Sequence, residues 1–179
     1  MAKQESSIAR PGRSAAATAR RWPARSAGDG GAPPPGSIRA KLLRSDGLPK
    51  VEPIPPKLRE RWGRGTVVIA APREVDACMR AVRRGAVATL DAIRASLAAA
   101  HGATIACPIT TGIFANYAAH AAEEARGEGG KDVTPWWRTL RADGELPPKF
   151  PGAPQLQRTL LEAEGHTVVA RGKRWFVVD

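Results

Sequence analysis

Residues 89–125, TLDAIRASLAAAHGATIACPITTGIFANYAAHAAEEA, decide how the fold is read. Thr89 offers the hydroxyl of a helix N-cap, and Leu90, Ile93 and Leu97 recur at helical spacing until Gly102 stops the run. Pro108 suits the first turn of the next helix, which extends from Ile109 to about Ala125 with Ile113, Tyr117 and His120 on one face. Two helices joined by a short Gly-containing turn predict a helix-turn-helix, a motif whose second helix lies in the major groove when it binds DNA. Many helix pairs share this pattern, so it does not by itself select DNA as the partner.

Upstream, Thr66-Val67-Val68-Ile69 reads as a short buried strand. Pro72 opens a helix with Val75, Met79 and Val82 on its apolar stripe, closed by Gly85. Downstream, residues 126–131 form a Gly-rich loop, residues 133–140 a short irregular or extended stretch, and Asp143-Gly144 a tight turn. A last helix covers residues 155–163 and ends at Gly165. Residues 166–170 and 174–178 flank Arg171-Gly172-Lys173 as a β-hairpin, which beside a helix-turn-helix would be a wing. The fold class expected is mainly α with a small β-hairpin, an α+β winged helix-turn-helix over residues 65–179.

Residues 1–40 are rich in Ala, Arg, Pro, Gly and Ser, with Ile8, Trp22 and Ile38 as the large apolar groups, and are expected to be a disordered basic arm. An Arg-rich, acid-poor start also has the composition of an organelle transit peptide, against which Pro33–Pro35 and the glycines count. Residues 41–64 carry Pro49, Pro53, Pro55 and Pro56 among charges and read as a Pro-rich connector lying across the domain surface.

A chain of 179 residues holds one ordinary domain and a tail, or two very small domains, which excludes a large multidomain enzyme. Its 28 Lys and Arg against 17 Asp and Glu give a net charge of +11. The arm holds +5 of this and residues 41–179 the other +6, so both parts favour a polyanion, either nucleic acid or an acidic membrane surface. Apolar runs such as residues 66–71 are far shorter than a membrane span of roughly 20 residues. Cys78 and Cys107 lack CxxC spacing, and without a secretory signal pattern a reducing cytosol with no disulfide is expected. His101, His120 and His166 show no zinc-ligand spacing, and no GxxxxGK[ST] or GxGxxG run is present, so neither a metal nor a cofactor is expected.

From Val75 to Gly165 the order of features resembles the C-terminal, DNA-binding domain of the O6-alkylguanine-DNA alkyltransferases and their alkyltransferase-like relatives. The resemblance rests on Pro135-Trp136-Trp137-Arg138, followed by Arg141-Ala142-Asp143-Gly144, and on Leu160-Leu161-Glu162-Ala163-Glu164-Gly165-His166. The first matches the family's Pro-Cys-His-Arg loop and turn, and the second its Leu-Leu…Glu-Gly helix ending. Gly85-Ala86-Val87-Ala88-Thr89 fits the entry into the first helix of the pair. Trp136 stands at the acceptor cysteine, and an indole has no thiolate with which to attack an alkyl group. Alkyltransferase-like proteins also carry Trp there, and the resemblance implies binding of a flipped alkylguanine without repair. Trp137 replaces the activating histidine, which leaves Glu164, at the supporting carboxylate, as a helix-end residue. Ile109-Thr110-Thr111-Gly112 lacks the family's arginine finger, and Leu90 stands in place of a tyrosine near the target phosphate.

The candidate DNA-binding residues are Thr110, Thr111 and Asn116 near the start of the second helix, Arg138 in the loop, and Lys173 and Arg174 at the hairpin tip. Each has a structural alternative: capping for the threonines, simple exposure for Asn116, bracing of the loop for Arg138, a solvated turn for the hairpin. Trp136, Trp137 and Ile109 are the candidate lesion pocket, as stacking platform and wedge, with core packing as the alternative for the tryptophans. The function expected is a non-catalytic, monomeric, cytoplasmic protein, nucleoid-associated in a bacterial cell, with no membrane partner. It would bind duplex DNA, recognise alkylated guanine or other damage in it, and signal to a repair-pathway protein. Two other classes stay open: an enzyme using Cys107, before Pro108 at a helix start, as a displaced alkyl acceptor, and a protein-interaction or regulatory module that kept the fold and lost damage recognition.

Overall fold

The computed structural model describes residues 32–178. It is a mixed α/β chain with six α-helices and three small sheets among these residues. Most of the basic arm lies outside the described residues.

The strand at Thr66–Ile69 forms as expected, but as the middle of a sheet whose other members the sequence concealed. We label the elements α1 (Ile38–Leu43), β1 (Lys50–Pro53), α2 (Arg59–Trp62) and β2 (Thr66–Ile69). The stretch read as a connector therefore contributes structure: β1 pairs antiparallel with β2, Lys50 opposite Ile69 and Pro53 opposite Thr66. Prolines are tolerated there because β1 is an edge strand. Ser37 caps α1 by accepting from the Ala40 N–H at 3.1 Å, and Arg39, counted with the arm, reaches Glu128 at 2.6 Å.

Next come α3 (Pro72–Arg80), β3 (Ala88–Thr89), α4 (Leu90–Ala100), β4 (Ile105–Ala106) and α5 (Pro108–Gly127). Pro72 and Pro108 each open a helix at its first position, and the Thr89 hydroxyl accepts from the Ala92 N–H at 3.1 Å as the N-cap of α4. α3 stops at Arg80, one turn before Gly85. The turn between α4 and α5 carries β4, which runs parallel to β2 with Val67 opposite Ile105. Thr66 and Thr104 exchange backbone-to-hydroxyl bonds of 3.0 and 3.2 Å across this junction. Gly65, at φ +122°, lies against Thr104 so closely that a Cβ would run into its side chain.

The remaining elements are β5 (Thr139–Leu140), α6 (Gln155–Glu162), β6 (Val168–Arg171) and β7 (Arg174–Val177). β5 lies parallel to β3, and β6 and β7 form the expected hairpin with Arg171 opposite Arg174. The largest core cluster joins Val68, Val75, Met79, Ile93 and Leu97 to the alanine face of α5, which buries Ala115, Ala118, Ala119 and Ala122. These small side chains let α3 and α4 approach closely, so α5 has no bulky apolar stripe for a sequence reading to find. A smaller cluster of Leu140, Leu146, Leu161 and Val168 lies under the hairpin, and Trp137 packs against both.

An alanine face packed this tightly has no room for added volume. Ala119→Leu is expected to destabilise the protein by about 1–3 kcal/mol in urea unfolding, whereas a cost near zero would show that the α3–α5 contact is loose.

Candidate nucleic-acid interface

The Pro135–Arg138 loop joins several segments of the described residues through hydrogen bonds. Trp136–Arg138 forms one turn of 3-10 helix. The Arg138 guanidinium meets the Glu164 carboxylate through two bonds of 2.8 Å, Nε to one oxygen and Nη2 to the other, and Nη1 donates to the Val82 carbonyl at 2.6 Å. The Trp137 indole N–H donates to Glu164 at 2.9 Å, and the Gly85 N–H donates to the same carboxylate at 3.4 Å. Arg138 also lies over the Trp137 ring, 5.6 Å from its centroid. Side-chain exposures of 13% for Arg138 and 7% for Glu164 mark this as a buried pair. Burial raises the Glu164 carboxyl, but the bonds from Arg138, Trp137 and the Gly85 N–H, with the Arg138 charge, outweigh it and hold the group below its ordinary value.

Arg138 is thus committed to bracing, the alternative to DNA contact. Glu164 is more than a helix-end residue: it joins the end of α6 to the loop and to the segment after α3. An indole N–H meets this carboxylate from Trp137, the position at which the resemblance places a histidine.

Trp136 is fully buried. Its ring meets Trp137 and Phe150 edge-on at centroid distances of 6.1 and 5.9 Å, and its N–H donates to Glu123 at 3.3 Å. The indole takes the place in which a pocket was expected and has no free face for a base. Ile109 is 62% exposed on the first turn of α5. Glu123 lies fourteen residues further along that helix, about 21 Å at 1.5 Å per residue. The three candidate pocket residues therefore do not line one cavity.

The first turns of α5 present a different surface. Ile113 is 43% exposed one turn beyond Ile109, and Thr110 and Asn116 are half-buried beside them. Thr111 points into the core, and the Asn116 Oδ1 is buried with no partner among the described residues. At the hairpin tip Lys173 is exposed, but Arg174 faces Asp143 and Glu145 at 3.7 and 3.6 Å and lies over Phe176. Arg171, opposite Arg174 and also over the Phe176 ring, is a tip cation the sequence reading passed over.

Both cysteines are free thiols. Cys107 is buried with Ile54 and Val67, and burial with the nearby Glu74 charge pushes the Cys78 thiol up to about 11. Among the described residues no three His, Cys, Asp or Glu side chains converge as a metal site, and no helix is long and apolar enough to cross a membrane. No family model, curated protein or solved structure matches the chain.

Removing Arg138 leaves the Glu164 charge buried without its partner, so Arg138→Ala is expected to cost about 3–5 kcal/mol at neutral pH. A folded-state carboxyl held below its unfolded value stabilises the protein above the ordinary carboxylate pKa and loses that contribution as pH falls through the lowered one. The cost of Arg138→Ala should accordingly shrink below about pH 4. Urea unfolding of both proteins across this range checks it, and a cost independent of pH would contradict the ion-pair account.

Proposed function

We propose that the protein is a non-catalytic DNA-binding protein on the alkyltransferase-like plan, with α4 and α5 as the helix-turn-helix, the β6–β7 hairpin as the wing, and the first turns of α5 as the groove-facing surface. The observation that carries this reading is the second helix itself. Its start is exposed at Ile109 and Ile113 while Thr111, Ala115 and Ala118 fix it to the core, the arrangement a recognition helix needs. The Trp137–Glu164 bond supports it further, since it keeps a side-chain donor on the carboxylate where the resemblance calls for one.

Affinity would come mainly from phosphate contacts by exposed Lys and Arg, and therefore fall steeply with salt. Damage recognition is the part of the reading that Trp136 weighs against. With the indole in the core, an extruded alkylguanine has no stacking face at that position, and extrusion costs a few kcal/mol that nothing there offsets. The protein is proposed to bind duplex DNA with little regard to alkylation, and the buried Cys107 thiol counts against an acceptor role.

Fluorescence anisotropy with the full chain, on duplexes with and without one O6-methylguanine, tests both parts. Binding to both that weakens sharply between about 50 and 200 mM salt, with a lesion preference under about tenfold, or about 1.4 kcal/mol, is the expected result. Absence of binding, or binding indifferent to salt, would overturn the proposal; a larger lesion preference would restore damage sensing as the function.

A further inference from the structure

An open cleft of about 370 Å³ lies where α2, α4 and the turn into α5 meet. Arg61 and Trp62 of α2, Arg94 of α4, and Thr104 and Pro108 are among the residues that line it. No carboxylate lines it. Arg61 makes no hydrogen bond or ion pair among the described residues, and Arg94 pairs with Asp91 one turn back on its own helix. Trp62 is half-buried, its ring packed towards Ile54, Val67 and Cys107 while it contributes to the cleft wall. The segment Arg59-Glu60-Arg61-Trp62-Gly63-Arg64 thus brings a cation and an aromatic face to the turn of the helix pair, although it precedes every residue on which the family resemblance rests.

We propose that this cleft holds one backbone phosphodiester of bound duplex DNA, with the guanidiniums of Arg61 and Arg94 on the phosphate oxygens and the adjoining deoxyribose against the Trp62 ring. The inference rests on the DNA-binding reading and assigns that reading a second contact region beside the first turns of α5. Two guanidiniums lining one cleft supply the N–H donors that phosphate oxygens accept. An indole supplies apolar contact for a sugar, which carries no sequence information, so this contact positions the duplex and leaves base reading to α5. β4 holds the geometry, because its pairing with β2 fixes the turn beside the α2 segment.

The test is a salt series of anisotropy titrations with the full chain and a short duplex, comparing wild type with Arg61→Gln, Arg94→Gln and Lys131→Gln. Lys131 lies beyond the other end of α5 and serves as a control of equal charge change. Each cleft variant is expected to lower affinity, and the two combined to make the log–log salt slope less negative by about 0.9, one phosphate contact, while Lys131→Gln leaves the slope unchanged. DNA should also quench tryptophan emission in wild type, and less so in Trp62→Phe. If wild type binds DNA but the cleft variants keep its slope, or if Lys131→Gln changes it equally, the cleft assignment falls and the DNA-binding reading stands. If wild type binds no duplex, both fall. Quenching of Trp62 by a free deoxynucleoside monophosphate, without any slope change on duplex, would assign the cleft to a free nucleotide and overturn the backbone contact.

Discussion

The buried pair between Arg138 and Glu164 is the constraint to which the second half of the chain is tied. One carboxylate receives the Arg138 fork, the Trp137 indole N–H and the Gly85 backbone N–H, while the same guanidinium reaches the Val82 carbonyl. Four segments meet there: the end of α3, the approach to β3, the loop before β5 and the end of α6. A buried charge is tolerated only when its hydrogen-bonding capacity is met, and here the partners come from segments separated by up to 79 positions. The pair therefore fixes their relative positions, and the β3–β5 pairing and the docking of the hairpin follow from that.

Packing completes what the ion pair begins. Trp136 and Trp137 are adjacent, yet one is enclosed with Phe150 in the main core and the other faces both clusters. A single turn of 3-10 helix sends the two rings to different environments. Two large indoles on adjacent positions make this loop a packing hub. Burying the pair contributes apolar area that an open pocket would forgo.

Much of this was legible in the sequence where one residue decides a local question. Thr89 as a cap, Pro72 and Pro108 as helix starts and the Arg171-Gly172-Lys173 tip each specify their element without tertiary help. α1 and β1 were not legible, because six residues with none buried and an edge strand with two charges and a proline carry no periodic signal. Their order comes from partners, α5 and β2, that are remote in sequence. The site was harder still. Arg138 and Glu164 are 26 positions apart, and neither composition nor spacing says whether an arginine faces a phosphate or a carboxylate. Arg61 and Trp62 lie in the stretch read only as a Pro-rich connector, and their place beside the turn between α4 and α5 required the β2–β4 pairing.

The net charge of +11 consequently overstates what the surface offers a polyanion. Arg39, Arg126, Arg138 and Arg158 are each within 2.8 Å of a carboxylate oxygen, and Arg174 faces two. Arg61, Arg64 and Lys173 are exposed with no ion pair among the described residues. Salt separates these groups physically. Screening over about 8 Å at physiological ionic strength weakens exposed charges far more than a pair held inside the protein. The outward cations are therefore the groups whose interactions salt weakens most, while the inward Arg138–Glu164 pair is largely spared. One residue type thus answers to two variables, pH where an arginine meets the buried carboxylate and ionic strength where a guanidinium is exposed.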